Sequence, residues 1–200
     1  MTVGYQREDM APLSDVTRDN GMVGPGAAPR TRTIQVARGM GGGPTKIAAF
    51  DAALRDAGVA NFNLIVLSSV IPPRTVVKHV PGHAVRFDGQ WGDRLYVVMA
   101  QRRVDEPGQE GWAGVGWVQA VGSNKGLFVE CEASSEDRLR ADLESSLESM
   151  AAGRADSFGP PEYVTQGVVC EDQPVCALVV AVYETAPWSI SGSDPTIVLP

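Results

Sequence analysis

The chain has few cysteines and histidines, and its acidic residues outnumber its basic ones. It holds 3 cysteines and 2 histidines in 200 residues, and its 17 Lys and Arg against 24 Asp and Glu give a net charge of −7. No dense basic run is present, which argues against nucleic acid and anionic membrane surfaces as partners. No hydrophobic run approaches the roughly 20 residues that span a bilayer, and no basic-then-apolar pattern opens the chain. The sequence therefore predicts a soluble, cytoplasmic protein that acts on a small molecule or on another protein.

The two histidines and three cysteines are also poorly arranged to bind a metal. His79 and His83 have a spacing that suits a metal only on a helix with a third ligand, and Pro81 and Gly82 lie between them. The cysteines form neither a C-x-x-C pair nor a close Cys/His cluster. The sequence therefore predicts no metal site.

Composition and length predict one domain with a sizeable core, since 44% of the residues are hydrophobic. Residues 1–30 mix Gly, Pro, Asp, Arg and Ser without an apolar period, which predicts a mobile N-terminal arm. Residues 31–190 are predicted to form the single domain. Residues 191–200, which are rich in Pro and Ser, are predicted to be a C-terminal tail.

The periodicity of apolar residues predicts two amphipathic helices and several strands. The first helix has Thr45 as its N-cap, Ile47, Phe50 and Leu54 on its core face and its end near Ala57. The second runs from Ser135 or Asp137 to Ala152, with Leu139, Leu143, Leu147 and Met150 on its core face. Strands are predicted at 33–37, 63–67, 95–100, 115–120, 127–132, 162–170 and 176–183, with 95–132 forming an antiparallel meander. Residues 39–44 are predicted to be a flexible turn, and 74–93 an irregular excursion. This pattern predicts an α+β fold of mostly antiparallel sheets with two main helices.

The strand predicted at residues 63–67 ends at a pair of serines. Four of its five residues are Leu, Ile or Val, which is typical of a buried strand, and Pro72 and Pro73 prevent its continuation. Ser68 and Ser69 in this place are most often a polar strand end followed by a turn. A rigid strand can also hold the peptide between two serines in one geometry and exclude most water. The residues alone leave both interpretations open.

Three carboxylates are candidates for a functional role. Asp51 lies at the border of the buried face of the first helix, where most aspartates are merely solvated. Glu130 and Glu132 share one face of their strand, opposite Val129 and Cys131. An exposed glutamate face carries ordinary surface charges, so the pattern alone does not assign these residues a function.

The stretch from Gly39 to Pro73 resembles the pyruvoyl-dependent arginine decarboxylases. The motifs that carry the resemblance are, in order, Ala-Phe-Asp-Ala-Ala-Leu at 49–54, Ala-Gly-Val at 57–59, Asn-Leu-Ile at 63–65 and Ser-Ser-Val-Ile-Pro-Pro at 68–73. A weaker likeness is traceable over residues 126–132. Position 48 is alanine where the family often has asparagine. The resemblance implies an αββα sandwich.

The resemblance also implies a cofactor and roles for particular residues. The family cuts its own chain between the two matching serines, Ser68 and Ser69, and the second becomes a covalently bound pyruvoyl group. Asn63 is implied to support this cleavage. Asp51 is implied to face the guanidinium of bound arginine, and Glu130 is implied to be the general acid. Glu132 is the alternative general acid in the same strand.

The activity implied by the resemblance is decarboxylation of L-arginine to agmatine and CO2 in a homotrimer of cleaved chains. Its sites lie between subunits, so Asp51 and Ser69 of one site can come from different chains. Two alternatives remain open. The chain could decarboxylate a different amino acid, or it could be an unprocessed structural or regulatory member of the fold that has lost turnover.

Overall fold

The structure, a computed structural model, describes residues 31–188. The predicted N-terminal arm (1–30) and C-terminal tail (191–200) lie outside the described residues. The helices are α1 (Lys46–Asp56) and α2 (Glu136–Ala152). The strands are β1 (Arg32–Gly42), β2 (Asn63–Val66), β3 (Val70–Ile71), β4 (Thr75–His79), β5 (Arg94–Val104), β6 (Glu110–Gln119), β7 (Gly126–Ala133), β8 (Glu162–Val169) and β9 (Val175–Ala186).

These elements form four layers. One sheet has the order β2-β5-β9-β1-β4 and the other has the order β3-β7-β6-β8. Helix α1 packs on β1 and β9 of the five-stranded sheet, and α2 packs on β6 and β7 of the four-stranded sheet. Only the β1–β4 and β2–β5 pairings are parallel among the strand pairs of the described residues. The predicted α+β fold, an αββα sandwich of mostly antiparallel sheets, is confirmed.

The two helices start and end where sequence predicts, for identifiable reasons. The side chains of Thr45 and Ser135 accept hydrogen bonds from backbone N–H groups of the first turns and so cap α1 and α2. Leu139, Leu143 and Leu147 are fully buried against the four-stranded sheet, as their spacing predicts. No helix within residues 31–188 has the length and apolar character needed to cross a membrane.

Helix α1 packs mainly through alanines; of the predicted core face, Phe50 and Leu54 pack against the core and Ile47 does not. Ala49 and Ala53 are fully buried, whereas the side chain of Ile47 is largely exposed. The reason lies in β1, which continues through the glycines predicted to form a flexible turn. A Cβ atom on Gly39 would lie 2.4 Å from the carbonyl oxygen of Ala53, and one on Gly41 would lie 2.5 Å from the Ala52 Cβ. The glycines therefore let the helix approach the strand closely.

Replacing Gly39 with alanine is expected to lower the thermal midpoint by roughly 2–10 °C, because overpacking of this kind costs about 1–3 kcal/mol. The measurement is thermal unfolding followed by circular dichroism. Gly153→Ala is the matched control, since a Cβ at Gly153 would meet nothing closer than 3.8 Å. Equal midpoints for both variants would contradict the close packing of α1 on β1.

Three further predictions about the strands were wrong. Residues 63–67 are not a buried strand: β2 is an edge strand, and Val66 is 60% exposed. Residues 74–93 are not wholly irregular, because β4 lies there and pairs with β1. Residues 95–132 do not form one meander, because β5 and the β6–β7 hairpin belong to different sheets. The turn between β8 and β9 also connects the two sheets, since β8 belongs to the four-stranded sheet and β9 to the five-stranded one. Local patterns identify most of these strands but not the sheet each one joins.

Candidate active site at the sheet crossover

The peptide between Ser68 and Ser69 lies where the chain passes from one sheet to the other. Before it, the N–H of Leu67 donates to the carbonyl of Val97 in the five-stranded sheet at 2.8 Å. After it, the carbonyl of Ser69 accepts from the N–H of Phe128 in the four-stranded sheet, also at 2.8 Å. Ser68 is exposed and Ser69 is half-buried. The peptide is thus held from both sides, but the expectation that most water is excluded from it is wrong for Ser68.

The backbone of Ser69 has a left-handed conformation with a φ of 66°. This conformation costs a residue other than glycine about 1–2 kcal/mol. It also changes where the side chain points. In an L-residue the Cβ is anti to the preceding carbonyl carbon at a φ near −60° and gauche to it at this φ. The left-handed turn therefore moves the Ser69 Cβ toward the carbonyl carbon of Ser68.

The side chain of Ser69 is hydrogen-bonded to one of the candidate carboxylates. The Ser69 hydroxyl donates to Oε1 of Glu130, although the two residues are 61 positions apart in sequence. Glu132 lies on the same face of β7 and forms an ion pair with Arg102 of β5, with 3.6 Å between Nη1 and Oε2. Of the two glutamates left open by the sequence, Glu130 is thus the one that contacts Ser69.

Tyr183 lies in the same cluster as Ser69 and Glu130, and sequence reasoning did not single it out. Its hydroxyl donates to the carbonyl of Val70 at 3.0 Å, and its ring packs edge-to-face on Phe128 with 6.1 Å between centroids. Burial, and then the charge of Glu130, raise the pKa of the Tyr183 hydroxyl far above its usual range, so it remains a donor. No local signal could have found this residue, because its position in an apolar strand predicts only that it packs in the core.

The other two predicted site residues lie elsewhere in the single chain. Asp51 is exposed on α1 and pairs with Arg55 at 3.2 Å. Asn63 begins β2, and its side-chain amide donates to the carbonyl of Gly92 at 2.5 Å. Within residues 31–188, neither is hydrogen-bonded to Ser69 or Glu130. Their implied roles therefore stay predictions.

The described part of the chain contains no group of three or more His, Cys, Asp or Glu side chains that could hold a metal. His79 is the last residue of β4, and His83 lies in a 3₁₀ turn, Gly82–Ala84. The two imidazoles are thus not presented by one helix. Burial and the nearby Arg38 lower the pKa of His79.

Comparison with known proteins gives a consistent result for most of the chain. The family model for pyruvoyl-dependent arginine decarboxylase matches residues 33–186, which include the whole cluster described above. A pyruvoyl-dependent arginine decarboxylase from Thermococcus kodakarensis is 30% identical over 159 residues, which cover 77% of this chain and 94% of the relative.

Two other similar proteins match a smaller part. The pyruvoyl-dependent arginine decarboxylase of Halobacterium salinarum is 44% identical over 97 residues, which cover 48% of this chain but only 58% of the relative. A solved structure of pyruvoyl-dependent histidine decarboxylase has a TM-score of 0.38 and 20% identity, and the match covers 51% of this chain and 55% of that one. By the family match and the relative that it covers almost fully, the chain belongs to the pyruvoyl-dependent arginine decarboxylase family.

Proposed function

We propose that the chain cuts itself between Ser68 and Ser69 and then decarboxylates L-arginine to agmatine and CO2, using a pyruvoyl group derived from Ser69. The observation that carries this proposal is the strained Ser69, whose hydroxyl donates to Glu130 at the crossover between sheets. Family membership and the names of the relatives support arginine as the substrate. The protein would act in the cytoplasm.

Self-cleavage begins when Ser69 Oγ attacks the carbonyl carbon of Ser68. The amide C–N bond breaks as an ester to Oγ forms, and the amine is left on residue 69. The left-handed φ of Ser69 favours this step, because it brings Cβ, which carries Oγ, toward that carbon and stores about 1–2 kcal/mol of strain. In the elimination that follows, a base takes the Cα proton of residue 69, a double bond forms between Cα and Cβ, and the bond between Oγ and Cβ breaks, which leaves residues 1–68 with a free carboxylate. Hydrolysis of the unsaturated residue 69 releases ammonia and leaves a ketone.

The residues around position 69 fit a pyruvoyl group. When present, the group supplies a ketone that binds the substrate amine and an electron sink for the decarboxylation. The N–H of Phe128, which donates to the carbonyl of residue 69, polarises that carbonyl as negative charge develops. In the proposed reaction Glu130 gives a proton to the substrate α-carbon. Its contact with Ser69 Oγ supports this role, since the carboxyl then lies beside the reacting carbons.

The open edge of the sandwich supports a site that a second chain completes. Strand β2 is paired with β5 only as far as Val97, and β3 with β7 only as far as Leu127. Within residues 31–188, the remaining lengths of β5 and β7 therefore have no strand partner on this side. Glu130 lies on this part of β7 and is not fully buried. A neighbouring copy in a homotrimer can supply the exposed Asp51 there, where a carboxylate would pair with the substrate guanidinium.

Asp51→Asn is expected to raise the KM for arginine about 10- to 100-fold, since a charged hydrogen bond contributes about 1.5–3 kcal/mol. Self-cleavage is expected to continue, because Asp51 does not contact Ser69 within the described chain. The measurement is steady-state kinetics of CO2 release, with Asp137→Asn on α2 as the matched control. Mixing Asp51→Asn chains with Glu130→Gln chains should restore activity if one site uses both subunits. No recovery in verified mixed oligomers would place Asp51 outside a shared site.

Intact mass spectrometry under denaturing conditions tests the proposed function first. Two fragments split between Ser68 and Ser69, the larger beginning with a pyruvoyl group, are expected, and agmatine should then form from arginine. A single 21.2-kDa chain would contradict the proposal and favour an unprocessed structural or regulatory protein. A cut chain that leaves arginine untouched would favour another amino acid as substrate.

A further inference from the structure

Tyr183 links the two sheets at the crossover. It lies on β9 of the five-stranded sheet, and its hydroxyl donates to the carbonyl of Val70 on β3, an edge strand of the four-stranded sheet. The two residues are 113 positions apart in sequence. The ring of Tyr183 is itself fixed against Phe128, whose backbone N–H donates to the carbonyl of Ser69. Two consecutive carbonyls, those of Ser69 and Val70, are thus held by neighbouring donors.

These two hydrogen bonds become more important once the chain is cut. In the intact chain, residue 69 is also tied through Ser68 to Leu67, which is hydrogen-bonded to the five-stranded sheet. Cleavage removes that covalent connection. The new chain end is then held by the Phe128 N–H, by the Tyr183 hydroxyl and by the fully buried side chain of Ile71. A loose chain end would lose its alignment with Glu130, and misplacement of reacting groups is costly in rate.

We infer that Tyr183 is a positioning residue of the proposed pyruvoyl site, a role that rests on the function proposed above. Through the Val70 carbonyl, its hydroxyl holds Ser69 in the left-handed conformation before the cut. Through the same carbonyl it holds residue 69 beside Glu130 after the cut. Tyr183 acts through the backbone, because its hydroxyl donates to the carbonyl of Val70 and not to the scissile peptide. Ring packing on Phe128 and burial keep the hydroxyl oriented and protonated for both tasks.

Tyr183→Phe tests this role because it removes one oxygen atom and keeps the ring. The rate of self-cleavage, followed on freshly translated full-length chain by denaturing mass spectrometry, is expected to fall about tenfold. In the cut protein, kcat for arginine is expected to fall by a similar factor while KM changes less than twofold. Hydrogen exchange should accelerate in the peptide covering residues 69–73 and stay unchanged in α2.

Two further variants separate positioning from general stability. Tyr163→Phe is the matched control, because Tyr163 lies on β8 beside Arg140 of α2, on the outer face of the sheet, and it should cleave at the wild-type rate. Tyr183→4-aminophenylalanine restores a donor on the same ring, so it is expected to recover most of the cleavage rate.

The possible results distinguish this inference from the proposed function. Wild-type rates of cleavage and turnover in Tyr183→Phe would overturn the role of the hydroxyl. Two other results would also overturn it, because each assigns Tyr183 a structural role. One is slow cleavage in Tyr183→Phe that Tyr183→4-aminophenylalanine does not restore. The other is a thermal midpoint of Tyr183→Phe that is more than about 10 °C below that of the wild type. Absence of cleavage in the wild-type protein would instead refute the proposed function, and the inference with it.

Discussion

Ser69→Ala is expected to leave the chain uncut and to abolish decarboxylation. The substitution removes Oγ, the only atom of residue 69 that can attack the Ser68 carbonyl. The fold should persist, because alanine and serine tolerate the left-handed φ of position 69 almost equally. Denaturing mass spectrometry should show one chain of 21.2 kDa, and agmatine should be undetectable. Ser69→Cys is expected to be cut only in part.

Ser68→Ala provides the matched control for this experiment. The attacked atom of residue 68 belongs to the backbone, and the Ser68 side chain is exposed, so this variant should still be cut. If Ser69→Ala were cut at the same bond, a pyruvoyl group could not derive from residue 69. If Ser68→Ala were uncut while remaining folded, its hydroxyl would have a part in cleavage that the structure does not indicate.

Glu130→Gln is expected to separate cleavage from turnover. The glutamine side chain still accepts a hydrogen bond from Ser69 Oγ, so the chain should cut itself. It cannot donate a carboxyl proton to the substrate α-carbon, and loss of such a general acid typically lowers kcat by about 10²- to 10⁴-fold. The measurements are the cut fraction by mass spectrometry and the rate of agmatine formation.

Glu132→Gln is the control on the same face of the same strand. Because Glu132 pairs with Arg102 rather than with Ser69, this variant should retain activity within a fewfold range. Full activity in Glu130→Gln would remove Glu130 from the acid role. A large loss in Glu132→Gln alone would transfer that role to Glu132.

The helices and the hairpin were predictable because their signals are local. Thr45 and Ser135 cap helices within one turn, and the apolar period of α2 needs only its own residues. The errors arose where packing overrides local preference. Glycines at 39–42 suggest a turn, yet they continue β1 because only glycine lets α1 approach. Strand β4 was missed because the prolines and glycines on both sides dominate the local pattern.

The candidate site was only half predictable for the same reason. The family resemblance pointed to Ser69 and to Glu130 or Glu132, but the hydrogen bond between Ser69 and Glu130 depends on how distant strands pair. The left-handed conformation of Ser69 could not be predicted from the sequence either, since serine does not favour it. Tyr183 reaches the site from the far end of the chain, which no motif near residues 63–73 could indicate.

Because of the position of β1, the proposed cut would change how the protein refolds after denaturation. Strand β1 lies inside the five-stranded sheet, hydrogen-bonded to β9 on one side and to β4 on the other, and both neighbours follow the cut in sequence. If the proposed cut needs the folded site, the chain would assemble this sheet as one piece before the cut. After such a cut, the smaller piece would be held only by non-covalent contacts, and once both pieces unfold, their reassembly would be a second-order encounter. Denaturation of the cut protein would thus be largely irreversible. Its stability would then be set by its rate of unfolding and not by an equilibrium free energy.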